Sequence, residues 1–188
     1  MAKPEIYISV DIEADGPIPG EYSMLSLGAA AFVLGDRKPV ATFEVNLLPL
    51  EGASQDPDTM KWWANQPEAW AHLSQNQQHP VAGMSQFSQG VRALPGKAVV
   101  IGYPVTFDFM FVYWYMMKFV GKSPFGMQGL DLKTLAWTKL GGDFKGASKR
   151  NMPKRWFNGA PRHDHTALTD AIGQGVLFVN MMTDHDDV

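Results

Sequence analysis

An apolar run over residues 6–10 ends in two carboxylates one residue apart, Asp11 and Glu13, with the turn signal Asp15-Gly16-Pro17 close behind. If the run is a strand, its period of two points both carboxylates to one face, at the strand's end. Like charges held side by side repel, so a buried strand end would carry them for a cation or a shared proton; otherwise they are solvated loop residues. Two more acids stand beside apolar segments. Asp108 opens the run 106–120, where a structural aspartate would cap the first helical turn. Asp170 edges the stripe Leu168, Ala171, Ile172, Gly175, Val176 and Val179, which has the spacing of a helix docked on a core. Four carboxylates in such positions are better explained by a metal site than by four separate solvated residues. Cysteine is absent, so only oxygen and imidazole ligands are on offer, and the expected ion is a hard divalent cation, magnesium or manganese.

The elements that must position these side chains follow from the pattern of the chain. Segments 24–34 and 40–48, separated by a Gly-Asp-Arg-Lys-Pro turn, read as a hairpin after the first strand. Asp56-Pro57-Asp58 supplies a cap, a proline at the first helical position and an acid in the first turn, so a helix should begin there. A second short helix is expected from Pro67, a third over 86–94, a buried strand over 98–102, and a last strand at 130–131 leading into a helix capped by Asp131. The nearly uniform apolar segment 106–120 is either the central core helix or part of a subunit contact. Strands, then helices, then a strand followed by a helix indicate an α/β fold, a mixed sheet with helices on its faces.

The remaining features bound the reading. A chain of 188 residues with 45% apolar content fits one domain, with a core over about 5–182. Residues 141–162 lack apolar periodicity and carry Lys145, Lys149, Arg150, Lys154, Arg155 and Arg162 against one acid, which makes them a long basic loop of the functional or disordered kind. The acidic tail, 183–188, reads as a frayed, solvated end, with His185 among its aspartates able to mimic a ligand cluster. A formal charge of -3 argues against a general polyanion-coating protein without excluding a local basic patch. No signal-peptide arrangement precedes residue 6, and Asp108 and Lys118 interrupt the longest apolar stretch, so a soluble, cytoplasmic protein without a membrane partner is expected.

In order and spacing, VDIEADG, VIGYPVTFDFMFV and HTALTDA resemble the three motifs of the DEDDh 3′-to-5′ exonuclease superfamily, the type of ribonuclease T and the polymerase proofreading exonucleases. Its subgroup mark, a histidine five residues before the last aspartate, is matched by His165 and Asp170. The resemblance spans residue 7 to about 181, and it implies an RNase H-like fold with about five strands, the second antiparallel. It further implies that Asp11 bridges two magnesium (or manganese) ions, that Glu13, Asp108 and Asp170 complete their shells, and that His165 takes the proton from the attacking water. Ala14-Asp15 replace the two threonines common in the first motif. His163 competes for the base on helical geometry, lying seven residues from Asp170, but a helix capped near Asp164 would leave it outside and put His165 in the first turn or the loop.

A short segment, Thr59 to Gln66, is similar to the TxxWWxxQ stretch of a branch containing exoribonucleases and some phage-type exodeoxyribonucleases, which tilts the expectation slightly toward RNA. Trp62 and Trp63 lie about 100° apart on a helix, so both cannot face the core; Trp62 is the candidate for base stacking, against plain packing. Met24 and Leu25 either wedge against a terminal base or belong to the second strand. Lys149, Arg150, Lys154 and Arg155 are expected to contact phosphates of single-stranded nucleic acid at its 3′ end, with nucleoside 5′-monophosphates as product. A silent nucleic-acid-binding module and a two-metal enzyme acting on a nucleotide are the competing readings. A homodimer through residues 113–117 is a further expectation.

Overall fold

A computed structural model of the chain describes residues 3–184. Five strands form one mixed sheet in the order β3-β2-β1-β4-β5. They are β1 (Glu5–Ala14), β2 (Met24–Phe32), β3 (Ala41–Asn46), β4 (Lys97–Gly102) and β5 (Gly129–Asp131). β1 runs antiparallel to β2 and parallel to β4, and β4 runs parallel to β5, so the expected antiparallel second strand is present. β1 does not stop at Val10. It continues through Asp11 and Glu13 because β2 keeps pairing there, Asp11 opposite Gly28 and Glu13 opposite Ser26. Its pairing with β4 ends at Ser9, so beyond that point one edge of β1 is open.

The period of two sorts β1 between two cores. Ile6, Ile8, Val10 and Ile12 pack with α3 (Pro80–Ala93) and α4 (Val105–Phe119) on one face. Tyr7 belongs to the other face, under α6 (Ala167–Thr183). α6 can lie close to the sheet because two glycines leave room: a Cβ on Gly28 would stand 2.1 Å from the Ala167 carbonyl carbon, and one on Gly175 would stand 2.0 Å from the Phe32 ring. α1 (Pro57–Trp63) and α2 (Pro67–Leu73) form a third, smaller core with Leu25. α1 begins as its sequence indicates, with Asp56 accepting from the Thr59 N–H at 2.8 Å, and α5 (Leu132–Leu140) is capped by Asp131 through Thr134 at 2.7 Å.

Several expectations are corrected. α3 starts at Pro80, six residues before the expected start, since Pro80 occupies its first turn and His79 caps it. α6 starts at Ala167 with Thr166 as the cap residue; Asp164 instead folds onto Thr166, accepting from its N–H at 3.1 Å and its hydroxyl at 2.7 Å. Residues 141–162 are neither featureless nor merely solvated. They contain two 3₁₀ turns, Lys149–Asn151 and Lys154–Phe157, and bury Ala147, Met152 and Trp156 against α6. Asp184 is no frayed end: it accepts from the Trp156 indole N–H and pairs with Arg155 at 2.8 Å. His185 and the rest of the acidic tail lie outside the described residues. Segment 106–120 is a core helix on one side, with Tyr115 and Met116 fully buried, so these two cannot form a subunit contact. No helix among the described residues is long and apolar enough to cross a membrane.

Candidate active site

Three elements bring four carboxylates together at the carboxyl end of β1, the edge at which open α/β sheets bind ligands. β1 supplies Asp11 and Glu13, and oxygens of Asp11, Glu13 and Asp170 lie within 4.8 Å of one another. Asp170 reaches them from the first turn of α6. Asp108 comes from the first turn of α4, yet it does not cap that helix. It accepts the Ile12 N–H at 3.1 Å, filling the edge of β1 that β4 leaves open.

Burial and mutual repulsion raise the proton affinity of the group. Asp11 is pushed well above the usual carboxylate range, first by burial and then by the charges of Asp108, Glu13 and Asp170. Glu13 rises to about 9 by burial, with Asp170 and Asp108 adding to it. Asp108 rises to about 7, burial outweighing the Ile12 N–H and the Lys149 charge that pull it down. Asp170 is also raised by burial, offset by its contact with His163. Acids this close hold protons to higher pH than ordinary carboxylates, and a cation that takes the protons' place lets them ionise. An all-oxygen set of this size suits magnesium or manganese, and the residues present fit a divalent ion.

Gln174, one turn after Asp170 on α6, was not singled out by sequence reasoning. Its amide donates to Asp11 Oδ1 at 2.5 Å, and its own Oε1 is buried without a partner. The signal was available, since a glutamine four residues from Asp170 shares its face of the helix. Tyr103 was also missed. Its hydroxyl accepts the Lys149 N–H at 3.2 Å, and the Lys149 ammonium lies 4.8 Å from the Tyr103 ring. Lys149 thereby lines a cleft of about 450 Å³ together with Asp11, His163, Asp170 and Gln174. Arg150 and Lys154 are exposed nearby in sequence, whereas Arg155 is engaged with Asp184.

On the other side of the acids a smaller cleft of about 260 Å³ is lined by Glu13, Trp62 and Phe107. Its placement comes from two anchors: the Trp63 indole donates to the Ala14 carbonyl at 2.9 Å, and the Asp56 N–H to the Asp15 carbonyl at 2.8 Å. Trp63 is thus a buried peg, and Trp62 is left 41% exposed over the acids. Met24 is fully buried in β2 against the α4 side of the sheet; of its two readings the strand is the one observed, and no surface remains for a base.

Both histidines lie in the loop before α6. His163 contacts Asp170, while the His165 ring stands edge-on to Trp62 at 5.0 Å and 4.3 Å from the His163 ring. His165 also has φ 60°, in the left-handed region.

Residues 7–182 match the family described as the 3′-5′ exoribonuclease Rv2179c-like domain. The chain is similar to the 3′-5′ DNA exonuclease Cap18 of Escherichia coli, 31% identical over 93% of this chain and 90% of that protein. In fold it is similar to the nuclease domain of 3′hExo, a DEDDh family member bound to rAMP, with a TM-score of 0.71 at 8% identity, over 94% of this chain and 91% of that one. It is also similar to S. pombe Pop2p in its Mg²⁺- and Mn²⁺-bound form, with a TM-score of 0.60 at 13% identity over 94% and 82% of the two chains. At such identities these two likenesses speak to the fold, which is the RNase H-like one. With the match over residues 7–182 and the acids gathered at one sheet edge, the chain belongs to the family of 3′-5′ exoribonuclease Rv2179c-like domains and is a 3′-5′ exonuclease.

Proposed function

We propose that the protein removes nucleotides one at a time from the 3′ end of single-stranded nucleic acid, RNA ahead of DNA, and releases nucleoside 5′-monophosphates. The observation that carries this reading is the position of the acids between two clefts, one offering aromatic faces and the other a lysine. A terminal base fits against Trp62 and Phe107, since stacking accepts any base. Lys149, with the exposed Arg150 and Lys154, meets the phosphates that follow. Asp11, Glu13, Asp108 and Asp170 would hold two divalent ions, Mg²⁺ or Mn²⁺, which when bound supply charge stabilisation for in-line displacement at phosphorus. His165 accepts the proton of the attacking water as its oxygen joins phosphorus and the bond to the 3′ oxygen breaks. Gln174 keeps Asp11 Oδ1 in place while this happens.

The family's description supports RNA; the Escherichia coli relative, named as a DNA exonuclease, supports DNA as the second reading. Rates on matched 5′-labelled RNA and DNA oligomers decide between them: faster shortening of RNA is expected, and equal or faster shortening of DNA overturns the preference. The exposed side of α4, with Met110 and Met117, and the 81% exposed Met127 offer an apolar surface for a second copy of the chain, the homodimer we include in this reading.

A further inference from the structure

The exonuclease reaction needs one imidazole as base, and the structure brings two to Asp170. We propose that His163, His165 and Asp170 form a transition-metal site, distinct in chemistry from the all-carboxylate cluster, and that Zn²⁺ bound there switches the enzyme off.

One nitrogen from each imidazole and one Asp170 oxygen lie within 4.8 Å of one another. Ligands about 2.0–2.1 Å from a tetrahedral zinc stand about 3.4 Å apart, so the set closes with a shift of about 1.4 Å at most. The histidines lie in the loop ahead of α6, where such a shift disturbs no helix, and His163 is 60% exposed. His165 packs at right angles to the Trp62 ring and keeps a left-handed backbone, a conformation that persists where the surroundings fix it. Two imidazoles with one carboxylate suit zinc over magnesium, because imidazole favours the later first-row metals and hard ions favour oxygen. Three protein ligands leave a fourth position for water.

Asp170 is common to this set and to the set of Asp11 and Glu13. Zinc on the histidines therefore takes an oxygen from the carboxylate cluster. It also takes the His165 lone pair that would receive the proton, an inhibition that rests on the base assigned above. Binding of zinc does not depend on that assignment.

Calorimetric titration of the full chain with zinc chloride, under saturating magnesium, tests the site. One zinc per chain is expected, and His163→Ala or His163→Gln should weaken binding by at least the roughly 10–100-fold that loss of even an outer partner of a metal site costs. Zinc should stop magnesium-dependent shortening of a labelled oligomer at the concentration where it binds, and each variant, measured against its own zinc-free rate, should require at least about tenfold more. The site is overturned if the variants bind zinc as tightly as the parent, or if Asp11→Asn rather than His163→Ala abolishes binding, which would put zinc on the carboxylates. If zinc binds through His163 and shortening continues, the inhibitory role falls. If the chain shortens no oligomer, the calorimetry still decides the site and the exonuclease reading fails separately.

Discussion

Asp11 must carry a proton or face a cation, and each choice has a measurable consequence. Glu13 rises from 4.5 to about 9 and Asp108 from 3.8 to about 7 on folding. A carboxyl raised in this way holds a proton that the unfolded chain releases, so its stabilising share is complete below the unfolded value and is lost as pH rises through the folded one. Metal-free protein should therefore lose thermal stability between about pH 4 and pH 9, and magnesium or manganese should restore it increasingly across that window. Asp11→Asn puts an uncharged amide where metal-free folding must otherwise take up a proton or hold a repelled charge; it should raise the metal-free Tm at pH 8 by about 2–4 °C for each kcal/mol relieved, while abolishing turnover. An unchanged or lower Tm in a scanning fluorimetry experiment would mean that the Asp11 carboxyl costs the metal-free fold nothing. His165→Ala should lose about 10² to 10⁴ in kcat and still bind manganese, and His163→Ala should lose less than about tenfold without zinc. The reverse order in single-turnover rates would move the base to His163, whose contact with Asp170 makes it the rival.

At the scale of elements, the loop over residues 141–162 joins stability to binding. Trp156, 1% exposed, fastens it to α6, and Asn180 donates to the Trp156 carbonyl at 2.8 Å. That anchoring leaves Lys149, Arg150 and Lys154 outward and directs Arg155 to Asp184. Reversing the first three charges should flatten the dependence of log K on log salt by about 0.7 for each phosphate that the loop ceases to neutralise, on any single strand, while Arg155→Glu should change the slope less. An identical slope in fluorescence anisotropy titrations would reduce the loop to a solvated basic face. The same loop marks the limit of what the sequence carries. The carboxylates, the hairpin, the cap at Asp56 and the contrast between Trp62 and Trp63 were legible, because period and spacing are local signals. Ala147, Met152 and Trp156 were not, because apolar residues at irregular intervals acquire meaning only when α6 lies beneath them. Met24 was ambiguous for the opposite reason: a buried strand and an apolar wedge use the same side chain. The early start of α3 was recoverable from Pro80 at its first turn.

For the whole molecule, β1 is the axis. It pairs with both neighbours along its first half and runs on past β4, so the sheet ends in a ledge on which α4 and α6 each set an acid. The apolar side of α4 faces outward at Met110 and Met117, and light scattering over a range of concentrations should find the mass of two chains; a monomer throughout would remove the dimer. Chemistry is expected at the ledge and nowhere else. A 5′-labelled single strand incubated with the protein and magnesium or manganese should shorten in single-nucleotide steps from its 3′ end, stop on chelation, and stay intact with Asp11→Asn. A strand left whole at every metal concentration, or one shortened equally by Asp11→Asn, would contradict a metal-dependent exonuclease centred on Asp11.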